Sequence, residues 1–321
     1  MTRPAQKKSG APKPDPATAI SEEIVAILER GTLPWRQPWV GGGSSLPLRA
    51  CGEPYRGINS FLLSLRAMMQ GYTSPTWMTF KQAKELGGHV RKGEKSSLVV
   101  YYGTAGSKAD ASESGSNGQS ADDRGDEGGQ YRFLKSYRVF SANQIDGLNA
   151  AFYPEPDVLP GAHSIPELDA WFARIGVTTK LGGTRACYVP ALDEIHMPDV
   201  ARFEDPDLFF AVLAHEHVHA TRGPGRLERD FGSEGFGSAG YAKEELCAEI
   251  GAELLCRQLR IAPGHIENTA AYIEAWISAM KNDRRFIFKA SAHAQRAVDF
   301  ILEAAGPVPS DISTAELVDA A

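Results

Sequence analysis

The sequence predicts an α+β chain of two domains, a small mixed α/β domain followed by a mainly helical one. Three observations predict it. The chain has 321 residues, enough for two cores of ordinary size. Charge separates along it: residues 1–103 carry 14 Lys and Arg against 7 Asp and Glu, and the remainder carries 20 against 33. Long strand-like runs fall in the first part, whereas helical apolar spacing dominates the second.

The elements follow in order. Residues 1–17 are basic and proline-rich, with no apolar segment behind them, and read as a disordered arm, not a secretory signal. Asp15-Pro16 offers a cap and first-turn proline, and Ile20, Ile24, Ile27 and Leu28 recur at helical spacing up to Gly31. Further helices are predicted over Asn59–Met69 and Thr79–Leu86. Ser97–Tyr102 reads as a buried strand and Tyr131–Phe140 as its antiparallel partner. Between them, Thr104–Gln130 has no aromatic residue and no Ile, Leu or Val. Such a segment cannot offset its ordering entropy and is expected to be a disordered insertion within a first domain of residues 18–153.

Tyr153-Pro154-Glu155-Pro156 marks the expected boundary. The second domain, residues 154–305, shows a helix at Ile165–Ile175 and strand candidates at Ala186–Pro190 and Asp193–Met197. A helix from Asp205-Pro206 to Thr221, a glycine-rich loop, and a long helix over Tyr241–Leu259 follow. Helices over Ala270–Lys281 and Ala290–Ala304 close the domain, and residues 306–321 form a flexible tail.

Composition excludes several classes. Hydrophobic residues make up 42% and charged residues 23%, as in ordinary globular chains. The longest apolar runs, such as Leu208–Ala214, fall well short of the ~20 residues of a membrane span, so no membrane partner is expected. Cys51, Cys187, Cys247 and Cys256 form no C-x-x-C pair and read as scattered thiols in a reducing compartment, which places the chain in the cytoplasm. The basic first part suits a polyanion.

The sharpest motif is His215-Glu216-His217-Val218-His219. His215 and His219, at i and i+4, share a helix face and can bind one zinc ion, with Glu216 beside them as general base toward a water. His217 projects away from that face. A third ligand is needed, and the spacing of one class of zinc peptidase would place it at residue 225, which is glycine. Glu245 and Glu249, i and i+4 on the next helix, supply it best: Glu245 as ligand and Glu249 holding a ligand histidine from behind. Glu244 is the rival ligand. The two-helix layout resembles gluzincin metallopeptidases. His196, Tyr241 and Arg222 are three candidates for stabilising an oxyanion.

In the first half, Trp35, Trp39, Tyr55 and Trp77 interleave with Arg36, Arg56, Lys81, Arg91, Lys92 and Lys95. Aromatic faces stack on unpaired bases while Lys and Arg track phosphates, so the mixture suits single-stranded DNA. Taken singly, each tryptophan also suits a core. A fragment ending near Tyr153 is expected to bind by itself.

These residues resemble the ArdC family of plasmid antirestriction proteins. The resemblance runs through Gly31–Trp39, Pro54-Tyr55-Arg56-Gly57-Ile58-Asn59, Trp77–Ala83, Val90–Lys95, Tyr188–Pro198, the histidine motif, Arg226–Arg229, Tyr241–Glu249 and Phe288-Lys289-Ala290. It implies an N-terminal single-stranded DNA-binding domain, a C-terminal zincin-like metallopeptidase domain, and protection of incoming conjugative DNA from restriction. The chain departs from the family at Ala220-Thr221-Arg222-Gly223, where the family reads Trp-Thr-Gly-His. Three functions follow as alternatives: a DNA-targeted peptidase acting on an unknown protein, a DNA-binding protector whose metal site is structural or vestigial, and a general metalloprotease without a DNA role.

Overall fold

The computed structural model describes residues 15–29, 46–105, 131–153, 165–232, 238–261 and 269–309. Trp35, Arg36 and Trp39 lie outside them, as do residues 106–130 of the expected insertion.

Helix α1 (Pro16–Leu28) starts where Asp15 accepts a hydrogen bond from the Thr18 amide at 3.2 Å, with proline in the first turn. Ala17 is already buried in it, so the expected arm ends two residues early. Strand β1 (Leu48–Arg49) runs into α2 (Gly57–Gln70), which Gly71 closes in the left-handed conformation. Strand β2 (Thr76–Thr79) leads directly into α3 (Phe80–Glu85) through a capping box of Thr79 and Gln82. After β3 (His89–Val90), the strands β4 (Ser97–Ala105) and β5 (Tyr131–Ser141) pair antiparallel along their length. Thr104 and Ala105 therefore belong to β4, not to the insertion, because their backbones continue the ladder to Arg132 and Tyr131. The sheet order is β1-β2-β5-β4, and β6 (Ile145–Asp146) pairs with β3.

The second half packs helices over a small sheet. Helix α4 (Ile165–Ala173) precedes β7 (Thr178–Leu181), β8 (Cys187–Val189) and β9 (Glu194–Met197), in the order β7-β9-β8. Helices α5 (Pro206–Ala220), α6 (Ala239–Leu259), α7 (Thr269–Asn282) and α8 (Phe286–Ala305) follow. The chain past α8 does not begin as a free tail: Trp171 Nε1 donates to the Gly306 carbonyl at 3.3 Å, and Val308 packs on the core.

One apolar core runs through both halves. Ile20, Ile24 and Leu28 of α1 and Phe61 and Leu62 of α2 belong to the same buried cluster as Trp276 of α7 and Val298 of α8. Polar contacts lock the joint: Ser21 Oγ donates to the Arg284 carbonyl at 2.8 Å, and the Gly57 amide donates to Gln295 Oε1 at 2.8 Å. Asn59 brackets Val100 of β4 with two hydrogen bonds, of 2.7 and 2.9 Å. Gly57 and Asn59 thus tie α8 and β4 to the start of α2.

Candidate metal centre

Helix α5 is buried over nearly all its length, because Phe209, Phe210, Val212, Leu213 and Val218 occupy several of its faces. Burying a helix on all sides makes any polar side chain in it costly unless that side chain is paired. His215, Glu216, His217 and His219 sit in this setting. Helix α6 crosses α5 with Glu244, Glu245, Glu249 and Glu253 also buried. The two helices meet closely at Gly251, where a Cβ would fall 2.8 Å from Val218 Cγ2.

That contact brings one donor group together. His215 Nε2 and His219 Nε2 lie 3.0 Å apart, and each stands 3.7 Å from an oxygen of Glu245. All three ligand atoms fall within 4.8 Å of one another. Two zinc-bound nitrogens at ~2.0–2.1 Å from a tetrahedral ion lie roughly 3.3 Å apart, so the donor set fits such an ion. Burial works against charge on His219, but hydrogen bonds to Glu244 and Glu245 outweigh it and lift the ring to about 10. Burial would raise Glu245, yet hydrogen bonds from His215 and His219 hold it well below the usual carboxylate range.

Glu216, on the same helix, is not one of the three donors: its Oε2 accepts a hydrogen bond from the Tyr188 amide of β8 at 2.7 Å. His217 faces the core as its spacing requires, with Nδ1 on the Leu213 carbonyl at 2.9 Å and the ring beside Phe172. Burial lowers that ring to about 4 and keeps it neutral.

Glu249 does not hold a ligand histidine. The nitrogen behind His219 faces Glu244 Oε1 at 3.0 Å, and His215 Nδ1 has no hydrogen-bond partner among the described residues. Glu244, the rival ligand, takes the backing place because helix phase turns it about 100° from Glu245, away from the donor group. Burial would raise Glu244, but Arg229 and His219 bond to it and bring it down to about 2.

Of the oxyanion candidates, Tyr241 borders the donor group, since Glu245 acts on its phenol. Its hydroxyl meets Tyr272 at 3.0 Å, and burial, Tyr272 and Glu245 together push its phenol well above the ordinary value. Tyr272 of α7 escaped the sequence reading because no motif marks it. Arg222 is exposed just past α5, and His196 pairs with Glu194 at 3.4 Å.

The nucleic-acid candidates scatter. Trp77 is 1% exposed and packs with Leu63, Val99 and Val139, so it is core and not a base platform. Tyr55 is half-buried, with its phenol pushed up to about 12 by burial against the opposing effect of Arg49. Arg56 pairs with Asp299 of α8, Lys81 with Glu85 at 3.7 Å, and Arg91 with Glu94 and Asp146. Lys92 and Lys95 are exposed beside it. An unforeseen group lies on β4 and β5: Tyr101 stands opposite Lys135 and Val99 opposite Tyr137, so the three exposed side chains share one face.

Comparison with known proteins agrees with this architecture. Residues 14–140 match the N-terminal domain of anti-restriction factor ArdC, and residues 166–293 match a zincin-like metallopeptidase domain. Protein y4eC of Sinorhizobium fredii (strain NBRC 101917 / NGR234) is 34% identical over 285 residues, covering 88% of this chain and 90% of that protein. The DNA primase TraC of Escherichia coli is 37% identical over 293 residues, covering 88% of this chain but only 26% of the primase. The crystal structure of the antirestriction ArdC protein from the R388 plasmid in its metal-free form superposes with a TM-score of 0.72 at 41% identity, covering 90% of this chain and 97% of that one. Its Mn(II)-bound form gives 0.73 at 40%, covering 92% and 100%. No described helix is long and apolar enough to cross a membrane. With both domains matched in order and nearly the whole length aligned, the chain belongs to the ArdC antirestriction family.

Proposed function

We propose that the chain is a single-stranded DNA-binding antirestriction protein whose second half is a zinc metallopeptidase. The observation that carries the catalytic part is the convergence of His215, His219 and Glu245 beside a Glu216 that is not spent on the donor group. A structural zinc usually has four protein ligands and needs no general base; three donors and a separate carboxylate suit catalysis. Mixed imidazole and carboxylate donors favour zinc over manganese in intrinsic affinity, and the Mn(II) form of the R388 protein makes metal identity a matter for direct assay.

Bound zinc supplies Lewis-acid polarisation of a peptide carbonyl and a more acidic water. Glu216, oriented by the Tyr188 amide, would serve as general base, taking a proton from the attacking water and returning it to the leaving amine. Tyr241, kept protonated by its surroundings, is a hydrogen-bond donor for the developing oxyanion.

For DNA, the shared face of Tyr101, Lys135 and Tyr137 supports stacking with a cation alongside, and Arg91, Lys92 and Lys95 extend positive charge along the adjoining turn. Membership in the antirestriction family supports protection of incoming conjugative strands as the purpose, in the cytoplasm where restriction acts.

The test incubates wild type and Glu216→Gln with single-stranded DNA and candidate host proteins. Cleavage by wild type alone, with unchanged DNA affinity in Glu216→Gln, is expected. Equal protection of transferred DNA by both chains, with no cleavage, would leave a DNA-binding protector in place of a peptidase.

A further inference from the structure

We infer that Arg229 is a positioning residue of the metal centre, acting through Glu244 on His219. The inference rests on His215, His219 and Glu245 being the metal donors.

Arg229 is 6% exposed, and one edge of its guanidinium grips both oxygens of Glu244: Nε to Oε2 at 2.8 Å and Nη2 to Oε1 at 2.7 Å. Its remaining donors close on the end of α5, Nη1 on Thr221 Oγ1 at 2.8 Å and Nη2 on the Val218 carbonyl at 2.9 Å. Such a planar fork matches a carboxylate in a way lysine cannot. Glu244 then meets His219 Nδ1 at 3.0 Å.

An ionised carboxylate at that distance accepts a hydrogen bond from Nδ1–H, so the neutral ring must carry its hydrogen there. The lone pair is left on Nε2, the atom facing His215 and Glu245. Arg229 sustains this in two ways. It balances a carboxylate that would be costly to bury alone, and it fixes the plane of that carboxylate against the helix bearing His219. The control is one-sided, since His215 Nδ1 has no such partner among the described residues.

A purely structural arginine would only tie the segment after α5 to α6. The two roles separate in a double-mutant cycle on the full chain. Zinc affinity is measured by competition with a chromophoric chelator for wild type, Arg229→Gln, Glu244→Gln, the double variant, Arg229→Lys and His215→Ala, with thermal melts beside each. Glu244→Gln is nearly isosteric and reports even if the arginine variants fail to fold. Each single glutamine variant is expected to bind zinc about 10–100-fold more weakly. The double variant should be no weaker than the worse single one, and Arg229→Lys should fall between wild type and Arg229→Gln. Glu244→Gln within twofold of wild type overturns the inference, as does Arg229→Gln that melts early yet keeps its affinity. His215→Ala separates the premises: if it binds like wild type, the donor assignment itself fails, and if it alone loses zinc, only the role of Arg229 does.

Discussion

Glu244 and Glu245 are chain neighbours, and one step of helix phase gives them opposite tasks. Only the position of α6 against α5 decides which carboxylate enters the donor group, and residue spacing within one helix does not encode that position. The same limit explains Trp77. Its basic neighbours suggested a platform, yet its place on β2 between α2 and β5 buries it. The histidine pair was legible because i and i+4 is a property of one helix alone. A residue-scale prediction concerns His293 of α8. Burial first, then the charges of Arg296 and Arg229, lower its ring from 6.5 to about 4, and Arg296 Nη2 lies 2.8 Å from its Nδ1, a bond the neutral ring accepts. The unfolded chain takes up a proton near pH 6.5 that the folded chain refuses. Stability tied to this group is therefore complete above pH 6.5 and lost as pH falls toward 4. Glu244 and Glu245 lose their share only as pH falls below 4.5, and His219 loses its share only as pH rises above 6.5, whereas His217, also lowered to about 4, adds a loss across the window that wild type and variant have in common. In melts across that window, His293→Asn, which keeps an acceptor and cannot ionise, should show a shallower loss of Tm than wild type. Parallel curves would refute the assignment.

At the scale of elements, caps and periodicity carried most of the reading. Asp205 and Pro206 opened α5 and Thr79 opened α3, because a cap is a local contact. Strand β7 was missed: Thr178–Leu181 shows no apolar alternation and is defined by parallel pairing to β9, a partner 16 residues on. Gly251 was also silent in the sequence, although it sets the distance between the helices that carry the donors. Alanine there would gain up to ~1 kcal/mol in helix propensity, but its methyl group would press on the β-branched Val218, an overpacking that costs about 1–3 kcal/mol. Gly251→Ala is expected to lower both Tm and zinc affinity, since Glu245 must retreat with α6. Adding Val218→Ala should recover the affinity by reopening the space. If Gly251→Ala binds zinc normally, the close approach at this point does not set the donor geometry.

For the whole molecule, the charge split and the two family matches suggest separable halves, whereas the packing joins them. Ile20, Ile24 and Leu28 are each at most 1% exposed, and they share a core with α7 and α8. Truncation at Tyr153 would return those side chains, with part of α2, to water. At ~1.5–3 kcal/mol for each large aliphatic residue, the loss is comparable with the ~5–15 kcal/mol that holds a typical domain. The fragment is therefore expected not to fold cooperatively, contrary to the stand-alone binding that composition suggested. DNA affinity should accordingly be measured on the full chain, where binding should weaken steeply with salt and Lys92→Ala with Lys95→Ala should weaken it for all sequences alike. Hydrogen exchange supplies the decisive measurement: amides of α1 and α2 should open together with those of α7 and α8, with one shared free energy. A fragment of residues 1–153 that melts in a single sharp transition and binds oligonucleotide as tightly as the full chain would show that the common core is dispensable, and that the two halves are joined by contact without depending on it.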